Sequence, residues 1–196
     1  MKDNFNNLLG AYMENKKFPI YSIGHGGRTI ETFLNLLKEY QIDFLIDVRT
    51  NPFSRFHPHF NKEYLEEYCK RHSIRYLFLG DDLGGKPKDR SCYDEEGHIL
   101  YDNVMEKDFF IRSANRLITA YKKNLRVACM CSELKPCECH RSKMIGRYLS
   151  NQNIEMSHID ENGNLISQKS VMTQIDGGYE TDLFGEKFEF KSIGAY

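Results

Sequence analysis

Five short apolar runs, each set off from the next by a stretch of helical period, constrain this chain more than anything else in it. They are residues 18–24 (FPIYSIG), 44–48 (FLIDV), 74–79 (IRYLFL), 125–130 (LRVACM) and 154–159 (IEMSHI). Their near-continuous apolar character suits strands covered on both faces, as in a parallel sheet wrapped by helices. Between them, Thr29 can cap a helix whose Ile30, Phe33, Leu34 and Leu37 share one face. Asn61 can cap a second, with Tyr64, Leu65 and Tyr68 inward, and Phe110, Ala114, Leu117, Ile118 and Tyr121 mark a third. A fourth falls at residues 140–150. The pattern predicts a single three-layer α/β domain over residues 18–160, with about five mostly parallel strands flanked by helices. Beyond Asp160 it weakens, which predicts a polar C-terminal extension over residues 161–196, flexible in part.

One connection breaks the rhythm. From Gly80 to Glu106 the chain is polar and rich in Gly, Asp and Lys, and a structureless connection of that length is uncommon unless it is a functional lid. A chain of 196 residues, 40% hydrophobic, has material for a sizeable core without staples. No apolar stretch approaches a membrane span or a secretory signal, so the expected location is cytoplasmic. Four of the six cysteines, Cys129, Cys131, Cys137 and Cys139, crowd into one window. That clustering points to thiol or metal chemistry rather than to a bridged scaffold, and Cys69 and Cys92 read as incidental.

Net charge is only −1, but it is unevenly spread. Residues 112–147 carry nine Lys or Arg against two Glu, while residues 155–196 carry eight acids against three lysines. The basic section holds the cysteine window, which predicts an anionic ligand there.

Ligands of open parallel sheets bind beyond the carboxyl ends of the strands, and the polar candidates fall at those ends. The first run leads into Gly24-His25-Gly26-Gly27, a turn that permits close backbone approach but lacks a dinucleotide fingerprint. His25 reads as a general base, an oxyanion donor or a hydrogen-bonded loop residue. The second run ends in Asp47-Val48-Arg49 and continues to Arg55; Asp47 pairs with Arg49 or fixes the loop, and both arginines suit a phosphate or carboxylate. The third delivers Gly80-Asp81-Asp82-Leu83-Gly84-Gly85, and the fourth Cys131 and Glu133. After a turn at Pro136, Cys139-His140-Arg141 opens a helix, whose free N–H groups favour an anion.

Cys131 has three readings. It is a nucleophile activated by Arg141 and His25, a zinc ligand together with Cys137, Cys139 or His140, or a buried structural thiol. Glu133 is a general acid/base or the partner that orients Arg141. A phosphatase loop of the C-x5-R type is excluded, because the sixth residue after Cys131 is Cys137.

These segments together resemble the family called domain of unknown function 488. The matching pieces are Ser22-Ile23-Gly24-His25, Ile46-Asp47-Val48-Arg49 with Pro52 and Ser54-Arg55, Leu83-Gly84-Gly85, the C-x-E-x-x-P-x-x-C-H-R element from Cys131 to Arg141, and His158-Ile159. The resemblance implies an α/β domain with a shared polar site and brings no established reaction; Cys129 and Cys137 lie outside its motif. In the tail, Asp182-Leu183-Phe184 resembles the peptide by which bacterial replication and repair proteins dock on the sliding clamp, with Glu180 where that peptide has glutamine. Leu183 and Phe184 would be its apolar anchors.

The leading expectation is an enzyme acting on a phosphate-bearing substrate, a nucleotide or nucleic acid. Cys131, Glu133 and His25 would be catalytic, with Arg49, Arg55, Arg141, His140 and Asp47 around the anion. The rivals are a non-catalytic nucleic-acid or clamp adaptor and a structural zinc protein.

Overall fold

The computed structural model describes residues 17–176, 190–192 and 194. Their centre is a six-stranded sheet built from β1 (Ile20–Gly24), β2 (Phe44–Asp47), β3 (Arg75–Phe78), β4 (Val127–Cys131), β5 (Met156–Ile159) and β6 (Leu165–Ser167). The order is β3-β2-β4-β1-β5-β6, parallel throughout except that β6 runs antiparallel to β5. This is the α/β class that the apolar runs imply.

Alternate residues of each strand feed two separate cores. On one face Tyr21, Ile23, Leu45, Ala128 and Met130 meet Phe33, Leu34 and Leu37 of α1 (Ile30–Glu39) and Leu65 and Cys69 of α2 (Lys62–Arg71). On the other, Ile20, Ile46, Val127, Cys129 and Cys131 meet the helices that come after β3 and β4. These are α3 (Gly80–Leu83), α4 (Tyr101–Met105), α5 (Asp108–Lys122) and α6 (Arg147–Asn151). Cys129 is fully buried within its strand, as a small apolar filler.

The caps divide. Thr29 accepts from the Thr32 N–H at 3.2 Å and starts α1. Asn61 makes no cap bond; its Oδ1 instead takes the Ser54 N–H at 2.6 Å and ties down the loop after β2. Tyr64, expected inward, is 58% exposed, because α2 turns only its Leu65–Cys69 stripe to the sheet.

The polar stretch from Gly80 to Glu106 is not a structureless lid. It contains α3, a 3-10 turn (Arg90–Cys92) and α4, and it buries Leu83, Cys92, Ile99, Tyr101 and Val104. Past Asp160, the sheet continues into β6 and then α7 (Gln168–Asp176), which buries Gln168 and Val171. Leu183 and Phe184 lie outside the described residues.

Topology positions the site. β4 inserts between β1 and β2; the chain leaving β4 returns to the sheet at β5, beyond β1, while the chain leaving β2 goes to β3 on the opposite side. Connections that diverge from neighbouring strands leave a crevice at their carboxyl ends.

Candidate functional site

That crevice holds a cavity of about 280 Å³ lined by Arg49, Thr50 and Asn51 after β2, Gly85 and Lys86 after α3, Tyr101 of α4, Cys131 at the end of β4, Ser132, Glu133 and His140. A larger groove of about 600 Å³ runs along the outer edge of β3, lined by residues such as Glu66, Lys70 and Arg75. The larger groove has none of the cysteine, histidine and carboxylate cluster, so the chemistry belongs to the smaller cavity.

Cys131 sits at the last residue of β4, on the face shared with Cys129. Glu133 comes next in the loop, and its Oε2 lies 2.8 Å from Cys131 Sγ and 3.3 Å from Cys139 Sγ. Pro136 opens a 3-10 turn (Pro136–Glu138) that returns the chain toward the sheet. Cys139 and His140 then enter a π-helical turn (Arg141–Gly146) that runs on into α6. His140 Nε2 donates to the Val48 carbonyl at 3.1 Å. Burial opposes charge on the ring, but Cys139 and Glu133 outweigh it and raise its pKa, so the other ring nitrogen, Nδ1, also favours a proton. That Nδ1 faces Cys131 Sγ at 3.8 Å and Cys139 Sγ at 3.7 Å. Gly85 leaves room for the ring: a β-carbon there would stand 2.9 Å from Nδ1.

The two thiols differ. Burial pushes Cys131 well above the usual thiol range, and neighbouring Cys139 and Glu133 push the same way. Burial also opposes charge on Cys139, but the adjacent Cys131 thiol, the Arg141 guanidinium and His140 outweigh it and hold Cys139 well below that range. Cys139 is therefore the more acidic thiol of the pair.

Arg141 is fully buried and turned inward. Its Nε donates to Cys139 Sγ at 3.1 Å, Nη1 to Ser22 Oγ at 3.3 Å and Nη2 to the Glu133 carbonyl at 2.6 Å. With its donors spent inside the protein, it supports the thiols from behind and is not a contact for an anion in the cavity. Ser22 and His158 explain their place in the sequence motif by the same chain. Gln168 Oε1 accepts from His158 Nε2 at 2.6 Å, and His158 Nδ1 accepts from Ser22 Oγ at 2.6 Å.

Asp47 is also internal. Its carboxylate grips Arg49 through Nε at 2.9 Å and Nη2 at 2.6 Å, and takes the Tyr76 hydroxyl at 2.7 Å. Arg49 Nη2 additionally donates to the Phe60 carbonyl at 2.8 Å. Its Nη1 is buried and finds no acceptor among the described residues. Asp47 thus holds Arg49 rather than meeting an anion itself, and Arg49, a lining residue of the cavity, keeps Nη1 without an acceptor among the described residues.

His25 lies beside the cavity and is not among its lining residues. It stacks on Phe60 with ring centroids 4.4 Å apart, and its Nδ1 donates to the Gly26 carbonyl at 2.9 Å. Burial, with the neighbouring Arg49 and His57 adding to it, lowers its pKa to about 4. The ring is neutral at physiological pH and its buried Nε2 has no partner among the described residues, so it accepts a proton and does not donate to an oxyanion. Arg55 is exposed on the loop between Phe53 and Phe56, away from the cavity lining.

The excess of positive charge in residues 112–147 does not gather here. Lys122 and Lys123 lie at the carboxyl end of α5, and Arg126 just before β4, at the opposite end of the sheet from Cys131. Arg147 pairs with Asp102 at 2.9 Å. The cavity residues Thr50, Asn51, Lys86 and Tyr101 and the Gln168 link carried no sequence signal. They are ordinary polar residues whose meaning comes only from where the loops pass.

The fold and site define an α/β protein with a thiol–carboxylate–imidazole cluster at the carboxyl edge of a parallel sheet. The family model described as Domain of unknown function DUF488 matches residues 29–149, more than half the chain, and the chain belongs to that family. No curated protein and no solved structure matches it at a significant level.

Proposed function

We propose that this protein is an enzyme whose cavity takes a phosphate-bearing substrate, a nucleotide or a nucleic-acid strand. One observation carries the reading: Arg49, whose buried Nη1 finds no acceptor among the described residues, lines the cavity together with Cys131, Glu133 and His140. A buried donor left unpaired costs about 1–3 kcal/mol, and a phosphate oxygen would recover it. Lys86 lines the same cavity and adds positive charge. Glu133, exposed at the mouth, and His25, with its unprotonated Nε2, are the groups able to move a proton beside the bound anion. Phe53 at 63% exposure and Phe56 at 86% flank Arg55 on the adjoining loop, an arrangement suited to stacking bases along a strand. A place in DNA repair, with Leu183 and Phe184 docking on a sliding clamp, extends the same proposal.

Equilibrium binding of inorganic phosphate, mononucleotides and a short single-stranded DNA, each over a range of salt, tests it. Arg49→Lys keeps the charge against Asp47 but loses the fork, and phosphate affinity falls at least about tenfold, the value of one charge-assisted hydrogen bond. Affinity that ignores both salt and this substitution defeats the reading.

A further inference from the structure

We propose that Cys131, Glu133, Cys139 and His140 form a binding site for a zinc-class divalent cation, with Glu133 as the exchangeable ligand on the cavity side. The inference rests on the donor atoms and stands whether or not the cavity takes a phosphate.

Three of the six edges between donor atoms match a tetrahedron. Zn–S bonds of about 2.3 Å and Zn–N or Zn–O bonds of about 2.0–2.2 Å give edges between ligand atoms of roughly 3.4–3.8 Å. The two sulfur–imidazole separations are 3.7 and 3.8 Å, and Cys139 Sγ lies 3.3 Å from the carboxylate. The Cys131–Glu133 pair at 2.8 Å is the short edge, and rotating an exposed carboxylate opens it. All four donor atoms lie within 4.8 Å of one another.

Second, the imidazole is oriented for ligation. The Val48 carbonyl holds Nε2 and leaves Nδ1 as the ring nitrogen aimed at both sulfurs, the outer-shell arrangement that metal-bound histidines adopt. Third, the charges close. Two thiolates and a carboxylate carry three negative charges, which a divalent cation and the buried Arg141 guanidinium neutralise; Arg141 reaches Cys139 Sγ and the Glu133 carbonyl directly. Thiolate and imidazole together select a borderline-soft, tetrahedral ion. Because Cys131, Cys139 and His140 are buried and Glu133 is exposed, the one ligand able to yield to water or substrate faces the cavity, as in sites that keep an open position.

The spacing left the ligand set open in the sequence, where Cys137, Cys139 and His140 all stood as partners for Cys131 and Glu133 read as an acid or base. The ligands form no pair of C-x-x-C knuckles; Cys139 and His140 are adjacent, and Cys137, half-buried on the 3-10 turn, stays out.

The test is made on the full chain, purified without chelator or affinity metal. Elemental analysis should return about one equivalent of zinc. Cobalt(II) loaded in its place should give sulfur-to-cobalt charge-transfer absorption with tetrahedral visible bands. Cys139→Ser should lower cobalt affinity by more than the roughly 10–100-fold that accompanies loss of an outer-shell partner. Cys137→Ser should change nothing. Because a Cys139 variant can misfold, Glu133→Gln supplies a second reading: it should keep the equivalent of metal and shift the visible bands. A protein that takes up no metal overturns the inference. So does an intact mass showing a Cys131–Cys139 disulfide in its place, a cobalt spectrum untouched by the Cys139 and Glu133 changes, or one altered by Cys137→Ser.

Discussion

Among the described residues, Arg141 is the largest fully buried side chain, and a line of polar groups running back from it ends at Gln168. His158 is the middle link of that line. Burial, aided by repulsion from Arg141, lowers its pKa to about 4 against an ordinary 6.5. Between those two values the unfolded chain binds a proton that the folded protein refuses, so stability rises with pH across the window. His158 therefore contributes fully above pH 6.5, and its contribution is lost as the pH falls toward 4, on the order of 3 kcal/mol in all. Urea titrations from pH 7 to 4 check this: the difference in slope between the wild type and His158→Gln should lie inside that window. A variant with the same pH slope would remove His158 from the account.

At the scale of elements, the informative case is the segment beyond Asp160. β6 is three residues long with only Ile166 half-buried, too little for an alternating pattern to register. Its pairing with β5 and the Gln168 bonds to His158 and Ser142 nevertheless make it part of the domain. Ending the chain after Asp160 should cost at least about 2 kcal/mol from loss of buried Val171 alone, and should leave the edge of β5 open. A melting temperature unchanged by the truncation would contradict this. The Gly80–Glu106 stretch hid its structure for a related reason. Its helices of four and five residues are too short to repeat an apolar face, whereas α1 and α5, with ten and fifteen residues, could be read directly from their spacing.

For the whole molecule, the five parallel strands and their carboxyl-end site were legible because apolar runs and strand-end polar residues are local facts. The direction of Arg141, the orientation of His140 and the separation of positive charge from the cavity were not, since each depends on contacts between distant segments. Of the two cores, one on each face of the sheet, one contains no cluster residue and the other takes only Cys131 and Cys139 from it, and all four cluster side chains come from residues 131–140. Removing the proposed metal should therefore loosen the loop and the start of the next helix while the domain stays folded. Hydrogen exchange should rise over residues 131–146 and stay flat in β1, β2 and α1. Global unfolding on chelation would return the protein to the structural-zinc reading.

The π-helical turn at Arg141–Gly146 holds one residue more than an ordinary helical winding would, and all six of its residues are buried. Five residues wound regularly at about 100° each cover nearly the angle that these six now cover, so the surplus is absorbed where it sits. Deleting a single residue from this turn should therefore leave Arg141 facing Ser22 and the cysteine and histidine ahead of it at the mouth of the crevice. Deleting one from α6, which has no slack, would instead swing everything before it by about 100° and should abolish the site.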